Sequence, residues 1–309
     1  MAEQHTAVVA VLGAPNAGKS TLVNTLVGAK VAAVTQKVQT TRALVRGIAM
    51  RDQTQLILID TPGVFAPKRR LDRAMVAAAW SALEGADAVL HVVDAPAHAS
   101  EKRTGADARS VEDSATIARK LKDNEIASIL VLNKVDAVSR PALLALTTKL
   151  VEEGLYTDVF MVSAKNNDGV EDIARVLTER APEGPWLFSE DQTMDAPARV
   201  LAAEITREKA MLRLHDEIPY DLMVETETWE EKKDGSARIE QTIYVAREGQ
   251  RKIAIGQGGS TIKIIGEQAR KEMETAFDRR IHLFLHVKLR ENWSEERALY
   301  HRLGLDYEA

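Results

Sequence analysis

Cysteine is absent from all 309 residues, which excludes a disulfide framework and any thiolate-held metal, and fits a reducing compartment. No apolar run approaches the roughly 18 residues that a membrane-spanning helix needs. The first residues lead almost at once into the apolar run 7–12, with no basic-then-apolar targeting segment before it. Excess positive charge is missing as well: 41 Lys/Arg against 46 Asp/Glu leave a formal charge of −5. That balance argues against nonspecific nucleic-acid binding by the molecule as a whole. No internal repeat is evident. The length admits two domains, each with its own core, and the expectation is a soluble cytoplasmic chain, with peripheral contact to a membrane left open.

Four short stretches, each following an apolar run, read as parts of one pocket. Gly13-Ala14-Pro15-Asn16-Ala17-Gly18-Lys19-Ser20 has the G-x-x-x-x-G-K-[ST] pattern of a phosphate loop, set between residues 7–12 and a helix-like run opening with Ser20-Thr21-Leu22. In that strand–loop–helix context, glycines let backbone N–H groups turn onto phosphates and the helix adds its positive end. Lys19 would reach the outer phosphates, and the Ser20 hydroxyl would ligate magnesium. Alone, this loop says only nucleoside triphosphate.

Asn133-Lys134-Val135-Asp136, after the apolar residues 129–132, narrows the choice. A carboxylate at the carboxyl end of a buried strand can accept from both the ring N–H and the exocyclic amine of guanine. Adenine has no such donor pair and would leave the carboxylate unpaired, a discrimination of about 10⁴-fold. The Lys134 stem can lie on the base and Asn133 can tie this turn to the phosphate loop, while Ser163-Ala164-Lys165 offers a backbone N–H to the base carbonyl. Asp60-Thr61-Pro62-Gly63 ends another apolar run, with Asp60 placed to hold magnesium and the Gly63 N–H to meet the γ-phosphate. Singly, the three later motifs are ordinary turns. Together and in this order they predict a site for GTP or GDP with Mg²⁺.

Residues 7–12, 44–50, 56–60, 87–94, 127–132 and 158–162 read as strands, alternating with helices near 18–28, 72–84, 112–123, 140–153 and 169–180. This is the pattern of a doubly wound α/β domain with one antiparallel edge pair. Residues 95–111 read as a long polar surface loop. Ala181-Pro182-Glu183-Gly184-Pro185 breaks the periodicity, so the expected division is 1–181, a linker over 182–195, and a second domain over 196–309 with a C-terminal tail. There a helix (196–214) precedes strands at 220–229 and 237–246, and a helix (262–276) precedes a last strand at 281–289. Gly256-Gln257-Gly258-Gly259 lies between Arg251-Lys252-Ile253-Ala254-Ile255 and the later helix. A G-x-x-G loop joining two helices in a small α+β domain is the mark of a KH module, whose glycines admit a nucleic-acid backbone. Residues 247–290 carry ten Lys/Arg against five Asp/Glu, a basic segment in an acidic chain. Arg251, Lys252, Ile255, the four loop residues and Lys263 are the candidate RNA contacts; the plainer alternative is a glycine-rich turn beside a solvated helix face.

With Gln39-Thr40-Thr41-Arg42, Glu248-Gly249-Gln250-Arg251 and Val287-Lys288-Leu289-Arg290-Glu291-Asn292-Trp293 added to these motifs, the chain resembles the Era family of bacterial ribosome-assembly GTPases over essentially its whole length. The resemblance implies a P-loop GTPase domain with a mostly parallel sheet, followed by a type II KH domain. It further implies binding near the 3′ end of small-subunit (16S) ribosomal RNA, help in maturing the 30S subunit, GTP control of RNA engagement, and a peripheral presence at the inner membrane. A monomer is expected. Two departures stand out: Ala14 and Ala17 replace the family's commoner arginine and valine, and the 95–111 segment is longer than the family leads one to expect.

Ras-like GTPases follow the glycine of the D-x-x-G motif with a glutamine that orients the attacking water. Here Val64 stands in that place. It can neither take a proton nor align water, so unaided hydrolysis should be slow. Thr41, or its neighbour Thr40, is the candidate switch residue that closes on magnesium. Lys19, Thr41 and Gly63 form the candidate catalytic set, joined by Asn16, which either places a potassium ion acting like an arginine finger or only shapes the phosphate loop. Two other readings are a different RNA-directed, translation-type GTPase and an RNA-binding module whose nucleotide site is structural.

Overall fold

The computed structural model describes residues 3–35, 37, 40–100, 102–215 and 218–309. Gln39 of the Gln39-Thr40-Thr41-Arg42 motif lies outside the described residues. By packing, the chain divides into two units: Met1–Ala32, Thr41–Asp195 and Tyr300–Ala309 form one, and Ala33–Thr40 with Ala196–Leu299 form the other.

In the first unit the elements run β1 (His5–Gly13), α1 (Lys19–Val27), β2 (Val45–Arg51), β3 (Thr54–Asp60), α2 (Arg70–Ser81) and β4 (Ala88–Asp94). There follow α3 (Ala95–Ala99), α4 (Gly105–Asp123), β5 (Ser128–Asn133), α5 (Arg140–Glu153), β6 (Tyr156–Val162) and α6 (Val170–Glu179). The six strands form one sheet in the order β2-β3-β1-β4-β5-β6, with only β2 antiparallel to its neighbour. Strands β3 and β5 are buried along their whole lengths. Helices cover a parallel sheet on both faces, so its strands lose the alternation of half-exposed ones and read as continuous apolar runs. On one face Val9, Val11, Leu58 and Val131 pack with Leu22 and Val23 of α1 and Ile173 and Leu177 of α6. On the other, Leu12, Val64 and Val89 pack with Ala79, Ile117 and Leu121. Register brings the strand ends together: Asp60 pairs across from Val11, and Asp94 from Asn133. The loops leaving that edge therefore share one region, as an open α/β sheet requires.

The expectation of a long loop over 95–111 is corrected. Residues Ala95–Ala99 form α3 and Gly105 onward belongs to α4, so only the stretch between them connects (Glu101 lies outside the described residues). The Asp94 carboxylate accepts from the Ala97 N–H and caps α3. Thr104 and Asp107 form a reciprocal capping box at the start of α4, with Thr104 N–H to Asp107 Oδ2 at 2.9 Å and Asp107 N–H to Thr104 Oγ1 at 3.2 Å. The first turns of α4 are mostly exposed, and a polar composition on an exposed helix face looks the same as a loop.

Residues 182–195 are tied to the sheet rather than left hanging. Strand β2 is an edge, and its free backbone groups are paired by this segment: Ile48 N–H donates to the Thr193 carbonyl at 2.8 Å and Asp195 N–H to the Arg46 carbonyl at 2.9 Å. The buried Gln55 amide holds the backbone of Leu187 and Phe188 from the neighbouring strand.

The second unit contains α7 (Ala198–Arg213), β7 (Leu222–Glu231), β8 (Ala237–Val245), α8 (Glu248–Ile255), α9 (Ser260–Phe277) and β9 (Ile281–Leu289). A final helix, α10 (Arg297–Leu303), runs on toward the C-terminus. The sheet order is β7-β8-β9, antiparallel then parallel. Ala210 of α7, Ala254 of α8 and Ile265 of α9 pack on Leu222, Val224, Ile243 and Val245, which makes a three-stranded sheet with helices on one face.

Candidate functional site

The phosphate loop leaves β1 at Gly13 and enters α1 at Lys19. Its turn uses left-handed backbone at Asn16 (φ 65°) and Gly18 (φ 96°). At Gly18 a Cβ would stand 2.1 Å from Asn133 Nδ2, so glycine is required both for conformation and for the close approach of the Asn133 turn. Lys19 is buried, and its ammonium bridges the loop by donating to the carbonyls of Gly13 (3.1 Å) and Ala14 (3.0 Å). Burial pulls its pKa down to about 8, opposed by the Asp60 charge.

Three oxygens converge beside it. Ser20 Oγ donates to Asp60 Oδ2 at 2.6 Å, Thr41 Oγ1 donates to the same oxygen at 3.0 Å, and the two hydroxyls lie 2.9 Å apart. Asp60 is fully buried, and its second oxygen, Oδ1, has no hydrogen-bond partner. Burial raises its pKa, against the Ser20 hydrogen bond, the Lys19 charge and the Thr41 hydrogen bond. A buried carboxylate with an unpartnered oxygen beside two hydroxyls suits a hard divalent cation, which prefers oxygen ligands and supplies the missing positive charge. The Thr40 hydroxyl points elsewhere, to Thr35 Oγ1 (2.7 Å) and the Lys37 carbonyl (2.8 Å). Thr41, of the two threonines, is the one that meets Asp60.

Thr61 Oγ1 donates to the Val11 carbonyl at 2.7 Å and pins the Asp60-Thr61-Pro62-Gly63 turn to β1. After Gly63, the Val64 N–H donates to the Gly13 carbonyl at 3.1 Å, and the valine side chain is buried among Leu12, Ala79, Ile117 and Leu121. Val64 thus faces the core.

At the end of β5, Asn133 knits three segments together. Its Nδ2 donates to the Ala17 carbonyl at 2.9 Å, while its Oδ1 accepts from the N–H of Lys134 (2.8 Å) and of Ala164 (3.0 Å). Lys134 has φ 65° and Asp136 sits exposed in the single turn Val135–Ala137. Ser163 and Ala164 are buried, Lys165 is exposed, and Thr25 Oγ1 donates to the Ala164 carbonyl at 2.9 Å. Sequence reasoning missed Asp94, whose Oδ2 accepts the Lys134 ammonium at 2.6 Å. Its signal was available: an acidic residue ending an apolar strand on the ligand-bearing edge.

The glycine loop of the second unit is built differently. At the start of α8 the Gln250 Oε1 accepts from the N–H of Ala246 (3.1 Å) and of Arg247 (3.0 Å); the helix ends at Ile255, after which Gly256, Gly258 (φ 59°) and Gly259 (φ 78°) turn the chain into α9. Gln257, Gly258, Lys252 and Lys263 are exposed, and Ile255 is half-buried. Arg251 is clamped by Glu248, Nε to Oε2 at 2.8 Å and Nη2 to Oε1 at 2.7 Å. Nearby, Ile253 presents an exposed apolar side chain.

A phosphate loop with Thr41 on the buried Asp60 beside it and the Asn133-Lys134-Val135-Asp136 turn alongside, followed by a G-x-x-G module, is the makeup of a P-loop GTPase that carries a KH domain. Family comparisons agree: the chain matches the 50S ribosome-binding GTPase family over residues 8–134 and the KH domain family over 217–294. GTPase Era of Caulobacter vibrioides is 56% identical over 302 residues, covering 97% of this chain and 96% of that protein. GTPase Era of Maricaulis maris is 54% identical, with the same coverage. A crystal structure of Era in complex with MgGDPNP and nucleotides 1506–1542 of 16S ribosomal RNA superposes with a TM-score of 0.84 at 32% identity, covering 97% of this chain and 99% of that one. The chain belongs to the GTPase Era family, and it is a GTPase.

Proposed function

We propose that residues 13–21 cradle the phosphates of GTP or GDP, that Ser20, Thr41 and Asp60 hold magnesium, that the Gly63 N–H meets the γ-phosphate, and that Asp136 with the backbone of Ser163-Ala164-Lys165 reads guanine. The observation that carries this reading is the oxygen cluster itself, with Ser20, Thr41 and Asp60 within 3.0 Å of one another around an unpartnered Asp60 oxygen. Magnesium there would neutralise the charge on the phosphate oxygens. Lys19, positive and desolvated, attracts that charge more strongly than it would in water. Val64 is turned into the core and supplies no group to align water, so intrinsic turnover is slow. Asn16, in its left-handed position on the loop, is the residue proposed to place a potassium ion.

In this reading the KH loop binds small-subunit ribosomal RNA near its 3′ end, through the backbone of Gly256-Gln257-Gly258-Gly259, the apolar Ile255 and the charges of Arg251, Lys252 and Lys263. Support comes from the KH family match and from the RNA held by the solved Era relative. The chain then acts as a monomeric assembly factor for the 30S subunit, working in the cytoplasm with peripheral contact at the inner membrane and engaging RNA under nucleotide control. Phosphate release from GTP, measured with magnesium or chelator and in potassium or sodium buffer, tests the first half. Gel shifts with a 3′-terminal 16S fragment, with GTP analogue or GDP present, test the second. Turnover that persists in chelator, or RNA binding indifferent to sequence, would contradict the proposal.

A further inference from the structure

We propose that Asp94 is a positioning residue for guanine recognition: it tethers the Lys134 ammonium so that the lysine stem is fixed as a wall of the base slot before the nucleotide arrives. The inference rests on the guanine-site reading above and deepens it. Asp94 ends β4 in register with Asn133 at the end of β5, which sets its carboxylate one strand away from the Asn133-Lys134-Val135-Asp136 turn. Both of its oxygens are used. Oδ2 accepts the Lys134 ammonium at 2.6 Å and Oδ1 accepts the Ala97 N–H at 3.3 Å, so the start of α3 aims the carboxylate.

Lys134 is held from its other end too. Its backbone is left-handed (φ 65°), and its N–H donates to Asn133 Oδ1 at 2.8 Å. A side chain fixed at both ends cannot sweep through its rotamers. Restriction present before binding is not charged against the ligand, which is how preorganisation raises affinity. The pair lies at the rim, with the lysine side chain 39% and the aspartate 13% exposed. An isolated ion pair so placed adds little to the stability of a fold. Its consequence should therefore fall on nucleotide affinity.

The test is a double-mutant cycle on the full-length chain, reading Kd for GDP and for GTP in magnesium buffer, with magnesium tripolyphosphate as a ligand that has phosphates but no base. Asp94→Ala should weaken GDP and GTP alike by about tenfold and leave tripolyphosphate and kcat unchanged. Asp94→Asn, which keeps an uncharged acceptor, should lose about threefold. Lys134→Met keeps an unbranched apolar stem without the tether; it should resemble Asp94→Ala, and combining the two should add nothing further. Wild-type GDP affinity in Asp94→Ala would overturn the proposal. So would an equal loss of tripolyphosphate, which signals collapse of the whole site, or full additivity with Lys134→Met. Failure of the underlying reading looks different: Asp136→Asn would then leave GDP affinity untouched, whatever the Asp94 variants do.

Discussion

The phosphate loop and the glycine loop of the KH unit both turn on glycines in left-handed backbone, yet the first lies among buried side chains and the second is open. Lys19, Asp60 and Asn133 have almost no exposure, and each is hydrogen-bonded within the site. Around Gly258 and Gly259 there is empty space, to the point that an added Cβ would touch nothing. A small, highly charged ligand gains most from dipoles and charges fixed in advance away from water. A polymer must be reached from solvent, and its phosphates are met by exposed cations whose effect salt screens. The first site should therefore fail sharply on single substitutions, and the second by degrees unless its charge is reversed.

The largest effect expected is from Lys19→Ala. It removes the buried cation that balances both Asp60 and the phosphates, and should weaken GTP and GDP by about 1,000-fold or more, as for other desolvated charge pairs. Calorimetric titration decides this, and affinity near wild type would mean the loop is not the phosphate site. Next, aspartate at both Gln257 and Gly258 should abolish gel shifts of the 3′-terminal 16S fragment. Asp tolerates the left-handed backbone at Gly258 (φ 59°), and the space is open, so the fold and GDP binding should survive. Full-strength RNA binding by that variant would reduce the loop to a plain turn.

Asp136→Asn should weaken GTP by about 100-fold and shift preference toward xanthosine triphosphate, since the amide can donate to the new carbonyl. Competition between the two nucleotides reads this directly. A smaller effect concerns stability. His91 is fully buried between Tyr156 Oη (2.7 Å) and Ser114 Oγ (3.3 Å), and burial, followed by the nearby His98 and Lys19 charges, pulls its pKa down to about 3. Because the folded pKa is depressed, the stabilisation is complete above the unfolded value of about 6.5 and is lost as pH falls toward the folded value. Between pH 7 and pH 5 this is worth about 2 kcal/mol. Urea unfolding at the two pH values should show that loss in the wild type and less of it in His91→Gln; equal losses would clear His91 of the role.

The smallest effect separates two neighbouring cations. Lys252→Ala should lower the salt slope of RNA binding by about one, as one phosphate contact would. Arg251 is already held by Glu248, so Arg251→Ala should do less. The reverse order would show that the Glu248 clamp opens on RNA.

Much of this was legible before any coordinates. The phosphate loop, the Asp60 turn and the Asn133–Asp136 turn are contiguous stretches of the chain, and each follows a buried parallel strand that reads as an unbroken apolar run. The 95–111 segment was misread because hydrophobic periodicity is the main helix signal and α4 begins with an exposed, polar face. Its capping box, Thr104 with Asp107, was the better indicator.

The sequence by itself determined the two modules, the strand-end placement of the four motifs and the presence in and near them of a cation, a carboxylate and hydroxyls. Those depend on residues close together in the chain. Tertiary structure decided which of Thr40 and Thr41 meets Asp60, that Val64 turns into the core, and that Asp94 tethers Lys134 from 40 residues away. Such choices depend on which strands lie side by side and in what register, and burial sets that over the whole sheet, not through any local pattern.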